Sequence, residues 1–115
     1  MIVDVFCKII KEELSADVVW QDEEFLVIND IYPQAPVHVL IIPKEHYEAL
    51  HDFNEKNVSL LGKALLVAEK VAKQLGVHEK GYRLIINEGV HGGKLVPHLH
   101  IHLLGGKHLG PKIIK

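Results

Sequence analysis

The chain has 115 residues, 48% of them hydrophobic and 24% charged, with a formal charge of -2. That is the size and balance of one globular domain spanning residues 1–115, with one modest core. The two signs of charge are interspersed, which argues against polymeric DNA or RNA as a partner but leaves a small anion in a local pocket open. Cys7 is the only cysteine, so no intrachain disulfide forms and a cytoplasmic location is expected. Charge enters "MIVDVFCKIIKEEL" too early for a secretory segment, and no apolar run approaches the roughly 20 residues of a membrane span.

In chain order, Phe6 to Lys11 reads as a short helix. "VVWQ" (Val18 to Gln21) and "FLVIN" (Phe25 to Asn29) are β-branched and apolar runs split by Asp22-Glu23-Glu24, the pattern of a hairpin. "NDIYPQAP" is a proline-bounded loop, and "VHVLII" (Val37 to Ile42) is a third strand ended by Pro43. The long helix is expected from Asn54, a competent N-cap, to about Leu75, with Gly76 just past its end. Leu61, Ala64, Leu65, Ala68, Val71, Ala72 and Leu75 form its apolar stripe, which must pack on a sheet. "YRLIIN" (Tyr82 to Asn87) and "VPHLHIHLLGG" (Val96 to Gly106) supply two more strands, joined by "EGVHGGKLVP". The expected class is α+β: a five-stranded, mainly antiparallel sheet with one long helix on a face and short helices besides. Trp20, on the first hairpin, is assigned to the core.

The chemistry concentrates in histidine. Of nine, His51, His78, His91 and His108 lie in polar or loop context, where a solvated ring is the default. His38 interrupts an apolar strand and, if buried, needs a hydrogen-bond partner; His46 follows the third strand. His98, His100 and His102 alternate with Leu99, Ile101 and Leu103, so extended backbone puts three imidazoles on one face. A solvated face that happens to repeat is the weakest explanation. Zinc held by a His-x-His pair and nucleophilic catalysis are the other two. Gly89, Gly92 and Gly93 precede the triad, and their backbone N–H groups can turn toward an anion without side-chain obstruction. A glycine loop beside a candidate nucleophile favours attack on phosphorus.

"HLHIHLL" resembles the signature of the histidine triad family, and "NDIYPQAPVHVLIIPKEH" and "GYRLIINEG...GG" resemble two further stretches of its HINT-like, purine nucleoside phosphoramidase branch. The resemblance runs from "FCKIIKEEL" to "LLGGKHLGP", nearly the whole chain. It implies a homodimer whose sheets join into one, a bound purine nucleotide (AMP or GMP), and cleavage of P–N bonds in substrates such as adenosine 5'-phosphoramidate or AMP-lysine. It implies His100 as the nucleophile, forming a nucleotidyl-histidine, and His102 at the phosphate assisting the leaving group. His38 and His46 would stand behind His102 as a proton relay, and His98 would orient the strand. Asp30 would take the ribose hydroxyls, Ile28 and Ile31 the base, and Asn87 the phosphate or 5' oxygen, with Gly93, Lys94 and Leu95 counted among the nucleotide-binding residues.

Lys94 and Leu95 depart from the family pattern, as does Pro97; Lys94 either sets a cation beside the phosphates or is a solvated loop charge, the second being favoured. No cofactor is required by this chemistry. Some relatives hold zinc through a C-x-x-C pair and two histidines, but here only Asp4, Cys7, His46 and His98 remain, and a single thiolate argues against a structural zinc. The alternatives are a dinucleoside polyphosphate hydrolase of the same family, a non-catalytic nucleotide-binding regulator, and a zinc protein that uses the histidine face.

Overall fold

The computed structural model describes residues 4–111; the first three residues and the last four lie outside it. A short helix α1 (Val5–Ile10) is followed by strands β1 (Val18–Gln21), β2 (Phe25–Asn29) and β3 (Val37–Pro43), a single 3-10 turn (Leu50–Asp52), the long helix α2 (Ser59–Gln74), and strands β4 (Tyr82–Ile85) and β5 (Ile101–Gly105). The strands form one sheet in the order β1-β2-β3-β5-β4, every neighbouring pair antiparallel. The acidic turn closes the first hairpin through one side chain: Asp22 Oδ1 accepts the N–H groups of Glu24 at 2.8 Å and Phe25 at 2.7 Å.

Alternation along the strands divides the molecule into two faces. Phe25, Val27, Val39, Ile41, Ile101 and Leu103 pack against Ala64, Val67, Ala68, Val71 and Ala72 of α2, with Trp20 partly buried at the edge of this core. Leu26, Ile28, Leu40 and Ile42 point the other way and meet Phe6 of α1. His38 and His102 share that second parity, so the site lies on the face that α2 leaves free.

Three boundaries differ from the sequence expectation. Asn54 does not begin the long helix: its side chain accepts from Lys56 N–H at 2.8 Å and caps a separate turn, and α2 starts at Ser59. The stripe on α2 includes Val67, while Leu65 is 50% exposed and faces away from the sheet. The histidine strand is regular only from Ile101, because its partner β3 ends at Pro43, which offers no N–H to extend the ladder. β4 correspondingly ends at Ile85, two residues before Asn87.

Candidate active site

Residues 96–100 run irregularly into β5, with Leu99 N–H bonded to the Tyr47 carbonyl at 2.6 Å. This breaks the expected single row of imidazoles. His98 turns into the protein and is fully buried, His100 is 7% exposed, and His102 is half-buried on β5. Beside His100 and His102 lies a cavity of about 350 Å³. Asp30, Ile28, Ile31, Asn87, Gly93 and Leu95 also line it, so the structure gathers most of the expected nucleotide-binding residues at one place.

Hydrogen-bond partners fix where each histidine carries its proton. His100 Nδ1 lies 2.7 Å from the carbonyl oxygen of His98, which can only accept. The proton is therefore on Nδ1, and Nε2 keeps its lone pair. His38 Nδ1 accepts the Gln34 N–H at 3.0 Å, so in the neutral ring Nε2 carries the proton and donates it to His102 Nδ1, 2.9 Å away. His102, accepting at Nδ1, holds its own proton on Nε2. One ring thus offers a lone pair at Nε2 and its neighbour an N–H at Nε2, their centroids 5.1 Å apart.

Burial is the first cause that lowers the pKa of all these rings. It takes His102 from 6.5 to about 4, with the charges of His100 and His38 adding and Asp30 opposing. His100 is lowered by burial and by Lys94 and His98, against its bond to the His98 carbonyl and the charge of Asp30. His38 is lowered by burial against Asp30. Neutral imidazoles near pH 7 are what a nitrogen nucleophile requires.

Asp30 accepts Tyr32 N–H with Oδ1 at 2.8 Å, leaving Oδ2 near the cavity and 3.4 Å from His38 Nε2. Asn87 donates from Nδ2 to the Gly92 carbonyl at 2.7 Å and so holds the glycine loop from the cavity side. Gly92 has no room for a side chain, since a Cβ there would lie 2.1 Å from the Glu88 carbonyl oxygen. His51, His78, His91 and His108 are exposed, in line with their sequence context.

Two expected placements are corrected. His46 does not stand behind His102; it packs on His98, ring centroids 4.8 Å apart, outside the cavity. Lys94 is not directed at the cavity: its Nζ donates to the Glu48 carbonyl and lies 3.1 Å from Glu88 Oε2. Sequence reasoning also missed residues that line the cavity, namely Val5, Phe6 and Ile9 of α1, with Asn29, Tyr32, Leu40 and Val96. Val5, Phe6 and Ile9 have helical spacing, but that spacing does not say which face of the sheet α1 will cover. The Phe6 ring meets His100 edge-on with centroids 5.0 Å apart.

Asp4, Cys7, His46 and His98 form a second cluster, all four ligand atoms within 4.8 Å of one another. Asp4 Oδ2 lies 3.2 Å from Nδ1 of both His46 and His98, and Cys7 Sγ lies 3.3 and 3.6 Å from the same two nitrogens. Tetrahedral zinc with bonds of 2.0–2.3 Å needs ligand separations of about 3.3–3.6 Å, close to these four distances, so the donor types and their convergence fit zinc. His98 Nε2 bonds the Pro43 carbonyl at 2.9 Å, which leaves its Nδ1 lone pair for the centre. Asp30, His38 and His102 also converge. Their closest contact is already explained by a shared proton, so they do not make a ligand set.

Comparison with known proteins agrees with this geometry. The HIT domain family matches residues 11–109. The chain is 46% identical over 109 residues to a purine nucleoside phosphoramidase of Escherichia coli, covering 95% of this chain and 92% of the relative. It is 50% identical over 106 residues to an uncharacterized HIT-like protein of Chlamydia muridarum, covering 92% and 83%. Among solved structures, a HIT family hydrolase from Clostridium thermocellum superposes with a TM-score of 0.95 at 54% identity, covering 99% of both chains. A histidine triad nucleotide-binding protein from Candida albicans gives a TM-score of 0.79 at 31% identity, covering 98% and 86%. With its sheet order, its buried histidine pair and this agreement over nearly its full length, the chain belongs to the histidine triad (HIT) family.

Proposed function

We propose that the protein is a hydrolase of purine nucleoside phosphoramidates, acting through a nucleotidyl intermediate on His100. The observation that carries this reading is the His100 Nδ1–H bond to the His98 carbonyl, which leaves an unprotonated Nε2 beside a cavity that also holds His102 and Asp30. The name of the Escherichia coli relative supports the choice of P–N bond and purine.

In the proposed reaction the base lies against the apolar wall of Phe6, Ile9 and Ile28, and the ribose hydroxyls donate to Asp30. His100 Nε2 attacks phosphorus. The P–N bond breaks with its electron pair on the amine nitrogen, which takes a proton from His102 in its imidazolium form, charged from solvent once the anionic phosphate lies beside the ring. Water then adds to phosphorus, the bond from phosphorus to His100 breaks, and the water's proton restores the histidine cluster. Gly93 and its neighbours place backbone dipoles where charge develops on the phosphoryl oxygens. The bond to the His98 carbonyl suits the cationic ring that forms when His100 carries phosphorus.

Bond cleavage in this scheme uses no metal. Asp4, Cys7, His46 and His98 would hold zinc, which there would cross-link α1 to the end of β3 and the triad segment. We also place the protein in the cytoplasm as a homodimer. Leu65 and Leu66 on α2 are 50% and 65% exposed, and β4 leaves a sheet edge unpaired, which supports self-association.

The test is turnover of adenosine 5'-phosphoramidate by wild type and His100→Ala, each with and without chelator. The expected result is chelator-resistant hydrolysis that falls at least 1,000-fold in the variant, on the order of 4 kcal/mol of barrier. Faster turnover of diadenosine polyphosphates than of P–N substrates would move the assignment to that rival hydrolase. AMP binding without any turnover would leave a nucleotide-binding regulator.

A further inference from the structure

Lys94 and Leu95 stand where the sequence departs from the family pattern, and the geometry gives Lys94 a task other than phosphate binding. Its side chain is 10% exposed. The ammonium sits between Glu88 Oε2, at 3.1 Å, and the carbonyl oxygen of Glu48. Glu88 is committed on its other side as well, because Oε1 accepts Leu50 N–H at 2.8 Å. Glu88 and Lys94 bracket the glycine loop, which is closed within itself by Lys94 N–H to the Gly89 carbonyl at 3.1 Å and Gly93 N–H to Val90 at 3.0 Å. Segment 48–50, on the other side, is steadied by Asp52 Oδ2, which accepts from Glu48 N–H at 2.8 Å. Both charged ends of the loop are therefore tied to the segment after β3, while the loop's remaining face, at Gly93 and Leu95, forms the cavity wall.

We infer that Glu88 and Lys94 are positioning residues that pin the glycine loop to residues 48–50 and hold the cavity wall at Gly93 and Leu95 in place against the bound phosphate. Without the pin, a loop with three glycines has too many accessible conformations to present that wall in one arrangement. A largely buried ammonium with two good acceptors would also lose both by turning toward the cavity, and would leave the Glu88 carboxylate without its cation. The inference uses the proposed function only for what the loop binds, namely the phosphate of a nucleotide.

The experiment measures AMP affinity by calorimetry for wild type, Glu88→Gln, Lys94→Met and the double variant. Amide exchange at residues 89–94 is followed by NMR in the same proteins. A pin predicts that each single variant weakens AMP about tenfold and speeds exchange in the loop at least tenfold, with protection in β3 and β5 unchanged. The double variant should be no worse than either single, because breaking either end frees the same loop. If Lys94→Met weakens AMP while Glu88→Gln leaves affinity and exchange untouched, Lys94 is a phosphate ligand and the inference fails. It fails equally if neither substitution alters loop exchange. AMP affinity needs no turnover and loop exchange needs no ligand, so the pin is tested even if wild type cleaves no phosphoramidate.

Discussion

An imidazole has two nitrogens, and a single backbone group can decide which of them reacts. Gln34 N–H occupies His38 Nδ1, and that one donor orders the protons of His38 and His102 in sequence. The same burial that keeps His102 neutral makes the fold sensitive to acid. Its pKa falls from 6.5 in an unstructured chain to about 4 when folded, so the unfolded state binds more protons between those values. Its contribution is complete above pH 6.5 and is lost as pH falls toward 4, on the order of 3 kcal/mol in all. Stability measured by denaturant across that range should fall with acid, and His102→Gln should flatten the slope. An unchanged slope in the variant would show that His102 keeps an ordinary pKa. Gly92 makes a second prediction at this scale. A Cβ 2.1 Å from the Glu88 carbonyl oxygen and 2.8 Å from its nitrogen meets backbone that cannot rotate aside. Gly92→Ala should lower kcat/KM at least tenfold, while the exposed loop limits the melting shift to about 5 °C.

Among the elements, α1 does more than its six residues suggest. Asp4 caps it, Oδ1 accepting Cys7 N–H at 2.7 Å, and presents Oδ2 to His46 and His98. The helix in turn lays Phe6 against His98 and His100, with ring centroids 5.8 and 5.0 Å apart. Zinc at this cluster would tie the helix to the sheet, and binding to the folded state alone raises stability by about 2.7 kcal/mol when free metal is 100 times Kd. Titrating metal-free protein with zinc should raise the melting temperature by roughly 10 °C, and Cys7→Ser should abolish the rise. If wild type shows no shift, the four groups are held by hydrogen bonds alone. The pinned glycine loop is the other element whose conformation depends on distant partners, and its bonds to segment 48–50 join parts of the chain about forty residues apart.

The whole molecule has one covered and one open side. The helix α2 covers one face of the sheet with small residues, Ala64, Ala68 and Ala72 among them, so helix and strands approach closely. Its outer side carries Val58 just before the helix, 52% exposed, with Leu65 and Leu66. These apolar side chains and the free edge of β4 are what a second copy would cover. Light scattering should therefore give a mass twice 12.9 kDa, and Leu66→Glu should return it to the single-chain value. A wild-type mass of one chain would remove the dimer from the proposal. Among the described residues no helix is long and apolar enough to cross a membrane.

Much was already determined by the sequence. Period-two and period-3.6 patterns located all five strands and the long helix, because burial on one face leaves a local signature. The triad spacing singled out His98, His100 and His102 together with the glycine loop before them, and the family resemblance added the roles expected of His100, His102 and Asp30. What it left open depended on contacts between distant segments. The long helix begins after Asn54 because that side chain is used in a turn of its own, and β5 is shorter than its pattern because its partner strand stops at a proline. His98 looks like a member of the histidine row and His46 is expected behind His102, yet packing draws both to Asp4 and Cys7, up to 94 residues away along the chain. Only the tertiary structure decides which nitrogen of His100 is free and whether Lys94 points at a phosphate or at Glu88. Hydrogen-bond direction and ion pairing depend on which groups the fold brings within 3 Å or so, and no local pattern of residue types encodes that.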